Sequence, residues 1–176
     1  MKHAFLILAH NEFDILKALV RSLDDVGNDI YIHFDRKVNL LPELKMKFSK
    51  LYILEDRINV AWGDISVVKA EYKLFERSVE NGPYLYYHLL SGVDLPLLAP
   101  HKLQAFFREH AGKEFIGFST YDYSKELSRK VNYVHLFARE FRKTKNTLNY
   151  IYAGIRALYL RFQIYLGIKR NKNVNF

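Results

Sequence analysis

Three polar clusters each follow a short apolar run: Ala9-His10-Asn11, His33-Phe34-Asp35-Arg36 and Ser91-Gly92-Val93-Asp94. Polar turns follow most strands, so any one cluster says little. Three of them, carrying two carboxylates, His and Gly, point to a ligand site. His33 and Asp35 lie two apart and share a strand face. Two ligands without a third make a poor metal site. The more economical role for Asp35 is to accept from a base N–H or a ribose hydroxyl. A fourth segment, Ala61-Trp62-Gly63-Asp64-Ile65-Ser66, holds the only Trp of the chain. Trp62 is placed either to lid the core or to wall a sugar or base, and Gly63 would permit close backbone approach. Asp64 or Ser66 could cap the helix that follows, whose N-terminus favours an anionic group.

Several chemistries are excluded. With no Cys there is no disulfide framework, thiol nucleophile or thiolate metal site. Neither G-x-G-x-x-G nor G-x-x-x-x-G-K-[ST] occurs, nor the G-x-S-x-G elbow of hydrolases. Asp-x-Asp, which would hold a divalent cation under a nucleotide diphosphate, is also missing. Any bound diphosphate would then be neutralised by Lys or Arg, or its metal held differently.

The elements that must position these clusters follow from the apolar pattern. Ala4–Ala9, Asp29–Asp35 and Tyr84–Leu90 read as strands, with shorter ones at Leu51–Leu54 and Glu114–Phe118. Asn11 and Asp14 open a helix with Ile15, Leu16, Leu19, Val20 and Leu23 at helical spacing. Pro42–Ser49 reads as a short helix and His101–Glu109 as another. Ile65, Val68, Tyr72, Phe75 and Val79 form one stripe of a long helix. Alternating strands and helices imply a mostly parallel, Rossmann-like sheet flanked by helices, with ligands outside its carboxyl edge. All three polar clusters fall on that edge.

The 176 residues amount to about one domain, and 49% hydrophobic content suffices for a core. The formal charge is +8, but it is unevenly spread. Residues 1–128 hold 16 Lys+Arg against 18 Asp+Glu, and residues 129–176 hold 11 against 1. The sequence therefore divides into a slightly acidic nucleotide-binding α/β domain, 1–128, and a basic, aromatic-rich helical segment, 129–176. The first apolar run is too short to span a bilayer and lacks a signal-peptide cleavage site, so the body of the chain is expected in the cytosol.

His3–Asn11, Ile32–Lys37, Val60–Ala70 and His88–Leu97 occur in the order and spacing of one family. Over about residues 3–118 the chain resembles glycosyltransferase family 14. That group contains the core-2/I-branching β-1,6-N-acetylglucosaminyltransferases and the peptide O-xylosyltransferases. The resemblance implies a GT-A-type fold, a UDP-sugar donor such as UDP-GlcNAc or UDP-xylose, and inverting, metal-independent transfer to a glycan or protein hydroxyl. It implies that Asp35 and the Ala9-His10 strand end hold the uridine, with Asn11 and Arg36 also among the donor-binding residues. Trp62, Gly63 and Ser66 would line the donor pocket, and Ser91, Gly92 and Asp94 would lie near diphosphate and sugar. The family's catalytic Glu belongs to a C-terminal Asp-Glu pair. None occurs here after Asp94, where the acidic residues are Glu109, Glu114, Asp122, Glu126 and Glu140. The base stays unassigned, with Asp94 the nearest candidate, and the chain reads as the donor-binding part of a longer enzyme.

In the basic segment, residues 148–166 read as a helix with Ile151, Ile155, Leu158, Phe162 and Leu166 on one stripe. Arg156 and Arg161 inside it disfavour a membrane span. Three partners remain: a further part of the enzyme, an anionic lipid surface met peripherally, or nucleic acid. Base-contact motifs are missing, so nucleic acid is not expected.

Overall fold

The computed structural model describes residues 2–61, 63–115, 117, 123–137 and 147–170. The chain forms two compact units: residues 1–61 with 65–113, and residues 62–64 with 114–176. The charge step at residue 128 thus falls inside the second unit.

The first unit is built on four strands: β1 His3–Ala9, β2 Asn28–Phe34, β3 Lys50–Ile53 and β4 Tyr86–Ser91. Their order is β3-β2-β1-β4 and every pair is parallel, which is the α/β architecture expected from the sequence. Alternation along β1 and β2 divides the core into two layers. Phe5, Ile7, Ile30, Ile32 and Phe34 pack with Leu16, Leu19, Val20 and Leu23 of helix α1, Phe13–Leu23. Ala4, Leu6 and Tyr31 pack on the other face with Leu74 of helix α2, Ser66–Asn81. Burial of each Leu, Ile, Val or Phe side chain among them stabilises the fold by roughly 1.5–3 kcal/mol. Helix α3, Pro100–Glu109, adds Leu103 and Phe107 to the α1 side. Phe107 there packs on a pair formed by His3 and His88, whose rings are parallel and share a 2.9 Å hydrogen bond between ring nitrogens.

Local details depart from the sequence reading. Position N-cap of α1 is Glu12 in the left-handed region, with no side-chain cap, so Asn11 does not cap the helix. Pro42–Ser49 forms no helix. The Asp24 carboxylate accepts the backbone N–H groups of Lys47, Phe48 and Ser49 at 2.7–3.0 Å and fixes them in a turn. Leu44 and Met46 then pack on the core by alternation. Burial alone would raise the Asp24 pKa, but the amide hydrogen bonds outweigh it and hold the carboxyl below its ordinary value. Glu114, Phe115 and Gly117 are not in a strand, and Ile116 and Phe118 lie outside the described residues.

The stripe assigned to α2 faces the wrong way. Ile65, Val68, Tyr72 and Val79 are exposed, and only Phe75 is partly buried. Ser66, Ala70, Leu74 and Ser78 meet the sheet instead. Small residues at four-residue spacing let the helix approach closely, which an apolar count overlooks.

The second unit contains helix α4, Ser124–Asn132, which the sequence reading missed, and helix α5, Thr147–Tyr165. Gln163 of α5 is buried, and its amide accepts from Val134 N–H and donates to Val134 C=O, both at 3.0 Å. It thereby copies a backbone pairing with its side chain. His135 Nε2 lies 3.1–3.2 Å from the Arg129 and Lys130 carbonyls at the end of α4. Of the α5 stripe, Ile151, Ile155, Leu158, Phe162 and Leu166 are all exposed, and the buried residues are Leu160 and Gln163.

Candidate functional site at the carboxyl edge of the sheet

Strand β1 feeds α1 and then β2 on one side, while β4 lies on its other side. The end of β1 is therefore a topological switch point, where ligands of open parallel sheets bind. Backbone hydrogen bonds draw the neighbouring strand ends to it. Asp35 N–H donates to the Ala9 carbonyl at 2.9 Å, and Gly92 N–H donates to the Leu8 carbonyl at 2.7 Å. A Cβ on Gly92 would lie 3.1 Å from the Ala9 Cβ and 3.3 Å from the Leu8 oxygen. A side chain here would press the two strand ends apart by a few tenths of an ångström, and glycine avoids that.

An open cavity of about 340 Å³ lies beside this edge, lined by His10, Phe13, Asp35, Lys37, Val38, Asn39 and Leu40. It unites His10 and Asp35, which the sequence placed in one site. Asp35 is buried, and its Oδ1 accepts the Lys37 N–H at 2.9 Å. Lys37 Nζ bridges Asp35 Oδ2 at 3.2 Å and the Val60 carbonyl at 2.6 Å. Asp35 therefore folds its own loop while staying at the cavity wall. Lys37, Phe13, Val38, Asn39 and Leu40 were not assigned from sequence. Lys37 had one available signal, its place two residues after a strand-end carboxylate, where an Asx-type turn brings its N–H back. Leu40 is 85% exposed, and no burial pattern could have marked it as a wall.

The other assigned residues take different places. Ala9 is buried beneath the edge, and Asn11 is exposed between β1 and α1. Arg36 is exposed, with its N–H on the Ile58 carbonyl. Ser91 and Asp94 close a turn on themselves, Ser91 N–H donating to Asp94 Oδ2 at 2.7 Å. Ser66 Oγ accepts the Ala61 N–H at 2.8 Å, so it closes the loop before α2 and does not reach the cavity. Gly63 has φ +77°, the left-handed region that favours glycine, and belongs to the second unit. Trp62 lies outside the described residues. His33 is buried with its Nε2 accepting the Ile58 N–H at 2.8 Å, which ties down the loop after β3. Burial holds its pKa below the ordinary value. With that nitrogen occupied, His33 does not pair with Asp35 toward a ligand.

No curated protein matches the chain. The model of the core-2/I-branching enzyme family matches residues 3–164. It thus runs past residue 118, where the recognisable motifs stop, and takes in α4 and nearly all of α5. The switch-point edge and this match agree, and the chain belongs to the core-2/I-branching enzyme family of glycosyltransferases.

Proposed function

We propose that the first unit binds the uridine diphosphate of a UDP-sugar, UDP-GlcNAc or UDP-xylose, for inverting transfer to a glycan or protein hydroxyl. The carrying observation is the convergence of His10 from the end of β1 and Asp35 from the end of β2 on one cavity. The Asp35 carboxylate suits an N–H of the base or a ribose hydroxyl. His10 and Phe13 offer flat surfaces for the ring, and Arg36 and Lys37 supply positive charge for the diphosphate in place of a metal. Transfer then requires a base that removes the acceptor hydroxyl proton as UDP leaves.

A second reading is a donor-binding module without transferase activity, and one observation favours it. Both carboxylates of this edge already accept hydrogen bonds, Asp35 from Lys37 and Asp94 from Ser91. Titration calorimetry with UDP, with and without EDTA, tests donor binding. Binding insensitive to EDTA is expected, and Asp35→Asn should weaken it by roughly tenfold or more, the worth of a hydrogen bond to a charged group. UDP release from either UDP-sugar in the presence of glycan or peptide acceptors separates the readings. Turnover supports the transferase, and binding without turnover supports the module.

A further inference from the structure

The apolar stripe of α5 is exposed among the described residues. On a helical projection Ile151, Ile155, Leu158, Phe162 and Leu166 occupy one side, with Leu148 and Tyr165 at its margins. Leu158 is 70% exposed and Phe162 53% exposed, whereas Leu160 and Gln163 on the opposite side are 8% and 2% exposed. A cavity lined by Glu126, Arg129, Lys130, Arg156 and Leu160 occupies the side toward α4. The stripe runs from residue 148 to residue 166, about 27 Å at helical rise, and is exposed along its whole length.

Charge identifies the occupant. Residues 147–170 contain Arg156, Arg161, Lys169 and Arg170 and no Asp or Glu. Residues 139–145, next to the helix in sequence, add Arg139, Arg142, Lys143 and Lys145 against Glu140 alone. A second copy would bring the same excess of positive charge and be repelled. A long straight apolar stripe, cationic and Tyr-bearing with no carboxylate, fits a flat surface that is apolar within and anionic without. No helix among the described residues is long and apolar enough to cross a membrane. We infer that α5 lies in the headgroup region of an anionic lipid surface, with its stripe among the acyl chains and the exposed Arg161, Lys169 and Arg170 on the headgroups.

The test is co-sedimentation of the full chain with vesicles of pure phosphatidylcholine and of equimolar phosphatidylcholine and phosphatidylglycerol. Binding is expected to the anionic vesicles and to fall steeply at high salt. Leu158→Glu and Phe162→Glu, at exposed positions and checked by circular dichroism for retained helix, should each weaken it by at least about tenfold. Arg161→Glu should weaken it less. Absence of binding by the folded wild-type chain would overturn the inference. So would vesicle binding that both stripe variants leave unchanged. Light scattering that shows a dimer dissolved by Leu158→Glu would instead assign the stripe to a second copy.

Discussion

Helices α1 and α5 carry apolar stripes of similar spacing and meet opposite fates. In α1 the residues Leu16, Leu19, Val20 and Leu23 are at most 1% exposed, whereas every stripe residue of α5 is open. The difference lies in what the chain offers as a partner. Helix α1 joins two adjacent parallel strands, and that connection presses it onto the sheet. Helix α5 follows no strand among the described residues of its unit and is held by a polar clamp, Gln163 on Val134. Periodicity therefore identifies an apolar face without identifying its cover.

Breaking the buried side should have the largest effect. Leu19→Ala is expected to cost about 2–5 kcal/mol in urea unfolding, since Leu19 is fully enclosed by the sheet layer. Acid should come next. The His88 pKa is lowered from 6.5 to about 4, by burial first and by His3 second. A lowered histidine pKa means that the unfolded chain binds the proton more readily. Its stabilisation is complete above about pH 6.5 and is lost as the pH falls toward 4. The loss should reach on the order of 3 kcal/mol, and His88→Leu should flatten this part of the pH profile.

Smaller effects sharpen the contrast. Gln163→Leu keeps most of the volume but leaves both Val134 backbone groups unpaired, and should destabilise the second unit by about 2 kcal/mol. Gly92→Ala presses a methyl group on Ala9 and should cost about 1 kcal/mol while weakening UDP binding. Leu158→Ala, at the uncovered stripe, should change unfolding by less than about 0.5 kcal/mol. Equal losses for Leu19→Ala and Leu158→Ala would abolish the distinction between the two helices.

The parallel strands were legible because long apolar runs ending in polar clusters have few alternatives. The turn at 42–49 was not, because one distant carboxylate, Asp24, decides it. The buried face of α2 was misread because Ser66, Ala70 and Ser78 pack through smallness and not through hydrophobicity. Helix α4, polar nearly throughout, offers no stripe to read. At the site, His10 and Asp35 followed from strand ends and topology. The wall from Lys37 to Leu40 did not, because it depends on how a loop folds back on Asp35. Motifs carried the family resemblance to residue 118, whereas the family match extends to residue 164, through helices whose residues are individually unremarkable in type.

The central claim is that donor nucleotide binds at the carboxyl edge of the sheet. Titration of the ¹⁵N-labelled chain with UDP, followed by amide chemical shifts, tests it most directly. The account predicts saturable shifts concentrated at Ala9–Phe13, Asp35–Leu40 and the turn at Ser91–Asp94. Shifts confined to α4 and α5, or no shifts from the folded chain, would contradict it.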